Sequence, residues 1–233
     1  MLILSFSGVY EKETFYLDQN HTLLDLKDVE GTNSYCDEEA AKAIESAIAT
    51  KSFSDIHFID NGNYHYVSKF FLDKIRSNFS LIVFDNHSDM QPSAFGSLLS
   101  CGSWILEVIE NNQYAREIFL VGISEEAKSQ IPPEYASKVK VITNSNTVIS
   151  PSYPVYISID KDVFDESILK TNWDHGHMTG EEVLGYITYI SVKNHILGVD
   201  ICGEPEVNAP DSDIKKSDAV NKNLCIALTK LIP

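Results

Sequence analysis

With 233 residues, 43% of them hydrophobic and 22% charged, the chain has the composition of a soluble globular protein, long enough for one substantial domain over residues 1–233. A formal net charge of −16 argues against nucleic-acid and anionic-membrane partners, which call for a basic footprint. No basic leader precedes an apolar N-terminal segment, no apolar run approaches the roughly 18 residues that a bilayer needs, and Cys36, Cys101, Cys202 and Cys225 form no CxxC pair, so a cytoplasmic protein with reduced thiols is expected.

In chain order, Leu2 to Phe6 reads as a strand ended by Gly8, and His21 to Leu26 as a second. After the loop at Gly31, Asp37 is placed to cap a helix running to about Ala49. Asp55 to Ile59 reads as a strand leading into a Gly- and Asn-rich turn, followed by helical spacing from Tyr64 to Ile75. The apolar stretch Leu81-Ile82-Val83 gives a buried strand ending at Asp85; a loop with Pro92 and Gly96 follows, then a helix from Leu98 to Ile109. Strands are expected at Ile118 to Gly122, at Val139 to Ile142 and from Val155 to Asp162. A helix over Glu181 to Ile190, a strand over His195 to Asp200 and a closing helix over Ser217 to Leu231 complete the pattern. This alternation implies a parallel sheet covered on both faces, in which ligands bind beyond the carboxyl ends of the strands.

Two acidic runs stand where core strands end. Alternate residues of a strand share a face, so Asp85, His87 and Asp89 can converge, as can Asp160 and Asp162 from a second strand. His65 also follows a strand. Together these are two imidazoles and four carboxylates, groups that avoid an apolar interior unless a positive charge compensates them. Four carboxylates balance two divalent cations, and oxygen-rich ligation suits Mn²⁺ or Mg²⁺ better than structural zinc.

The motifs also resemble a known family. Asp85-His87-Asp89 (DxHxD) and Ser158-Asp160-Asp162 (SxDxD) look like the two central signatures of the ureohydrolases (arginase, agmatinase, formimidoylglutamase); Gly62-Asn63-Tyr64-His65 resembles their GGDH segment, and Asp200 to Glu204 is similar to their DxxE segment. The resemblance implies a three-layer arginase-type α/β fold with a central, mainly parallel sheet. It also implies two Mn²⁺ ions, other divalent cations being alternatives, and attack of a metal-bridging hydroxide on a guanidino, amidino or formimino carbon. Carried over by position, the metal ligands are His65, Asp85, His87, Asp89, Asp160 and Asp162, with Asp85 and Asp162 as candidate bridges. Glu204 is the counterpart of the residue that meets the substrate's cationic carbon centre. Cys101-Gly102 stands where the family has a His-Gly pair whose histidine shuttles protons.

Several positions depart from the pattern. Glu204 lies one residue further from Asp200 than usual, and Lys161 occupies an ordinarily apolar position between Asp160 and Asp162. No match exists for residues that hold an amino acid's α-amino and α-carboxylate groups, which disfavours classical arginase activity and leaves another small cationic amidine-type substrate. His175 and His177 follow SxDxD closely enough to line the cleft as substrate-binding residues, while Trp104 and Trp173 read as packing residues or as a cation–π wall. Two other functions fit parts of the pattern: a mononuclear zinc amidohydrolase resembling the deacetylases of similar fold, and a non-catalytic metal-binding homologue lacking the shuttle histidine. The family's trimers and hexamers leave homo-oligomerisation open, because no interface signature is visible.

Overall fold

The computed structural model describes residues 1–93, 96, 98–143 and 147–232. Part of the expected loop around Pro92 and Gly96, at 94, 95 and 97, lies outside the described residues. Among the described residues, ten strands and six α-helices follow one another in the expected alternation: β1 (Leu2–Ser5), β2 (Thr22–Asp25), β3 (Tyr35–Cys36), α1 (Glu38–Ile48), β4 (Ile56–Ile59), α2 (Val67–Leu72), β5 (Phe79–Phe84), β6 (Leu99–Ser100), α3 (Trp104–Asn111), β7 (Ala115–Val121), α4 (Glu125–Ser129), β8 (Val139–Ile142), β9 (Val155–Asp160), α5 (Gly180–Lys193), β10 (Ile196–Cys202) and α6 (Asp211–Leu228).

Eight strands form one parallel sheet in the order β2-β1-β4-β10-β9-β5-β7-β8. The last two strands in sequence thus fill the space between β4 and β5. Period-two alternation divides the sheet's side chains between two cores. Leu81 and Val83 pack with Ile44, Phe71 and Ile105 of α1, α2 and α3, whereas Ile82 and Phe84 pack with Ile187 and Leu224 of α5 and α6. Strands buried on both faces explain the near-continuous apolar runs of β5 and β9.

Local chemistry sets the boundaries. Asp37 caps α1 as expected, accepting from the Ala40 N–H at 2.8 Å, and Thr179 with Glu182 forms a reciprocal capping box on α5. Three expectations need correction. Leu99 and Ser100 are not helical but pair antiparallel with Tyr35 and Cys36, and helix starts only at Trp104, after Ser100 and Ser103 have bonded to each other. The span from Tyr64 to Ile75 is a 3₁₀ turn (Gly62–Tyr64) followed by the short α2. The closing helix begins at Asp211, well before Ser217; two of its buried positions, Ser217 and Asn221, are polar, which hides the apolar period. No helix among the described residues is long and apolar enough to cross a membrane.

Candidate metal centre

The four central strands β4, β10, β9 and β5 end nearly level, with Cys202 in register with Ile59 and Asp160, and Phe84 with Ile159. The segments leaving their carboxyl ends therefore meet. His65 comes from the turn after β4, Asp85, His87 and Asp89 from the loop after β5, and Asp160 and Asp162 from the end of β9 and the 3₁₀ turn that continues it.

All six side chains line one cavity of about 110 Å³, together with Gly62, Cys101 and Trp173. His65 Nδ1 lies 3.3 Å from Asp85 Oδ2, 3.1 Å from Asp89 Oδ2 and 3.5 Å from Asp160 Oδ2. His87 Nδ1 lies 2.9 Å from Asp162 Oδ2 and 3.5 Å from Asp85 Oδ1. Asp85 therefore reaches both histidines. Of the two histidines Asp162 approaches His87, whereas its neighbour Asp160 turns to His65.

The convergence does not come from strand alternation, since β5 stops at Phe84 and 85–89 is a loop. Asp85 Oδ1 accepts the His87 backbone N–H at 2.6 Å, Asp162 Oδ1 accepts that of Asn86 at 3.0 Å, and Asp89 is held at φ +48°, a left-handed conformation uncommon outside glycine. Ser158 Oγ meets His65 Nε2 at 2.8 Å and so leaves Nδ1 facing the carboxylates. Gly62 is needed for space, because a Cβ there would stand 2.6 Å from the Trp173 ring and 3.2 Å from Asp160 Oδ2.

The ionisable groups of the cavity shift one another strongly. Burial, reinforced by Asp85, pushes Asp89 up to about 6, and burial with Asp160 and Asp85 raises Asp162 well above the usual carboxylate range. Burial opposes a charged His87, yet Asp162 and Asp85 push it up to about 12; Asp85 itself is lowered against burial by the two histidines. Asp85 Oδ2 is buried and accepts no hydrogen bond among the described residues. A buried orphan oxygen amid four aspartates and two imidazoles fits divalent cations, and among the described residues three triads have donors close enough for one: His65, Asp85 and Asp89; Asp85, His87 and Asp162; and His65, Asp160 and Cys202.

The other candidates fall elsewhere or take unexpected partners. Cys101 stands on the cavity wall, its thiol pushed up to about 12 by burial and by Asp89. Glu204 does not line the cavity; it is fully buried against Lys161, 2.6 Å away. His175 and His177 border an adjoining cavity of about 800 Å³ that includes Asn86 and His87 in its wall. Both ring nitrogens of His175 are engaged, with Phe164 O and the Thr171 N–H, and the His177 side chain is 93% exposed. Sequence reasoning read Trp104 as a packing residue or cation–π wall and missed that its indole N–H donates to Asp89 Oδ2 at 2.6 Å; it also missed Cys202, whose sulfur lies 3.1 Å from Asp160 Oδ2. Nothing in the spacing marks Trp104, but Cys202 shares a strand face with Asp200 and is readable by alternation.

The fold and this strand-end cluster define an α/β protein of the arginase type. Residues 6–228 match the profile of the Arginase family, and the chain belongs to that family. It is 31% identical to an uncharacterised protein of Thermotoga maritima over 232 residues, covering 97% of this chain and 88% of that one. Among solved structures it resembles an arginase from Medicago truncatula, with a TM-score of 0.66, 16% identity and coverage of 98% and 85%. It also resembles a hypothetical agmatinase from Burkholderia thailandensis, with a TM-score of 0.59, 15% identity and 82% of this chain matched. The chain spans 64% of the length of that agmatinase.

Proposed function

We propose that the protein is a manganese-dependent binuclear hydrolase that cleaves a C–N bond in a guanidino, amidino or formimino substrate. The observation that carries this reading is Asp85, whose two carboxylate oxygens face His65 and His87 separately inside a cavity holding three further aspartates. His65, Asp89 and Asp160 would hold one ion and His87 with Asp162 the other, with Asp85 shared. Four carboxylates balance two divalent charges, and carboxylate and imidazole donors suit Mn²⁺, with other divalent cations as competitors. Such ions supply Lewis-acid polarisation and acidify water toward a pKa near ~7.

The chain's own groups do the remaining work. Trp104 and Ser158 fix Asp89 and His65 in the orientation the ions need. Cys101, a neutral thiol at pH 7, serves as the proton donor to the leaving nitrogen from the cavity wall. Trp173 offers a ring beside His87, with centroids 5.5 Å apart, against which a planar amidinium can lie. Beyond it, His175 and His177 border the space for the rest of the substrate, where Glu125, Glu126, Asp174 and Glu182 favour a cation. No Lys or Arg lines either cavity among the described residues, so a substrate carboxylate finds no cationic partner there.

The test is a panel of guanidino, amidino and formimino compounds offered to the Mn²⁺-loaded protein. Release of urea, ammonia or formamide from at least one member, abolished in Asp89→Ala, is the expected result; a silent panel at full metal occupancy contradicts it. A second reading, a metal-binding homologue without turnover, is favoured by Glu204, which faces Lys161 and not the cavity.

A further inference from the structure

Lys161 lies between Asp160 and Asp162, yet its ammonium group is fully buried and points into α6. All three of its donors are used: Nζ lies 2.6 Å from Glu204 Oε1, 2.6 Å from Ser217 Oγ and 2.8 Å from Asn221 Oδ1. The partners close the circuit among themselves. Ser217 donates to Glu204 Oε2, and the Asn221 amide donates to Glu204 Oε1 and to Glu13 Oε2, both at 2.8 Å. The backbone on the other side of the pair is equally tight. Gly203 sits at φ +90°, and a Cβ there would lie 2.4 Å from Asp160 Oδ1 and 2.7 Å from the Lys161 backbone nitrogen, so the residue before Glu204 has no room for a side chain. The Gly203 and Glu204 N–H groups both donate to Asp60 O, which ties this corner to the segment that carries His65.

From this arrangement we infer that Lys161 and Glu204 are positioning residues for the metal ligands: their buried ion pair anchors the 3₁₀ turn to α6 and thereby fixes where Asp160 and Asp162 point. Neighbouring residues of the turn project in different directions, so holding Lys161 in α6 sets the rotation of the segment and directs the two carboxylates into the cavity. The same contact explains the displaced spacing of Glu204 and the polar Lys161: each departs from the family pattern, and each supplies the other's partner. Glu204 is thereby withdrawn from the substrate, and recognition of a cationic head group falls to Trp173 and the acidic residues of the adjoining cavity. The inference rests on reading the cavity as a metal centre.

The experiment is calorimetric titration of the metal-free full chain with Mn²⁺. The Lys161→Met/Glu204→Gln double variant removes both charges and leaves no unpaired buried ion. It is expected to fold, with a wild-type far-UV spectrum and a cooperative melt, and to bind Mn²⁺ at least tenfold more weakly. The control, Lys140→Met/Glu117→Gln, removes a pair on β7 and β8 and is expected to bind as wild type does. A folded double variant with wild-type affinity and stoichiometry overturns the positioning role while leaving the metal centre standing. A wild-type chain that takes up no Mn²⁺, Zn²⁺ or Mg²⁺ overturns the centre and the positioning role with it. If the double variant does not fold, Ser217→Ala decides: affinity lowered at least threefold in a folded protein supports the role, and unchanged affinity overturns it.

Discussion

The indole N–H of Trp104, the first residue of α3, donates to Asp89 Oδ2 across 2.6 Å, and the same oxygen lies 3.1 Å from His65 Nδ1. A fully buried tryptophan at the start of α3 thus holds a carboxylate whose backbone is left-handed and lies outside any strand or helix. Trp104→Phe keeps most of the apolar volume and removes only the donor. Outer hydrogen bonds of this kind are typically worth about 10–100-fold in metal affinity. A Mn²⁺ titration of the folded variant should show a loss in that range, and an unchanged isotherm would make Trp104 a packing residue only.

Cys101 tests the proton-transfer role. Its thiol, pushed up to about 12, is protonated at neutral pH and lines the cavity. If it donates to the leaving nitrogen, Cys101→Ala lowers kcat more than tenfold with Mn²⁺ binding intact, and Cys101→His, whose ring titrates near pH ~6.5, restores or exceeds the wild-type rate. An alanine variant as fast as wild type would place the thiol among the packing residues.

Most of the fold was legible because parallel strands buried on both faces spell out apolar runs, and because the ionisable residues interrupt those runs at the strand ends, as at Phe84-Asp85 and Ile159-Asp160. The six-residue cluster was legible for the same reason. What the sequence concealed are partnerships between distant segments. Glu204 looks free to meet substrate until α6 is known to bring Ser217 and Asn221 beneath Lys161. The early start of α6 was concealed by the same two residues, polar where a helix facing a core is ordinarily apolar. The short pairing of β3 with β6 leaves almost no periodic trace, since each strand is two residues long.

Glu13 gives the protein a pH signature away from the metal ligands. Burial, with Glu204 beside it, raises its carboxyl from an ordinary 4.5 to about 10, against the opposing pull of Lys161 and Asn221. The folded state keeps a proton that the unfolded chain releases above about 4.5, so the contribution is complete below that pH and is lost as pH rises toward about 10. Melting temperatures of the metal-free protein should fall between pH 6 and pH 9, and Glu13→Gln, which cannot ionise, should flatten that slope. A slope identical in both proteins would contradict the assignment.

Asp37 provides a stability check independent of the site. Its carboxylate accepts the Ala40 N–H at 2.8 Å and caps α1, whose Ile44 and Ile48 are buried. Asp37→Ala should lower unfolding free energy by about 1 kcal/mol in urea titrations, with Mn²⁺ affinity of the folded protein unchanged.

The most direct measurement of the central claim is metal content by mass spectrometry after equilibrium dialysis, repeated for Asp85→Ala. Two Mn²⁺ per wild-type chain, with loss of both when Asp85 is replaced, is the predicted result. One tightly held Zn²⁺ per chain, or two Mn²⁺ retained without Asp85, would contradict a centre built around that shared carboxylate.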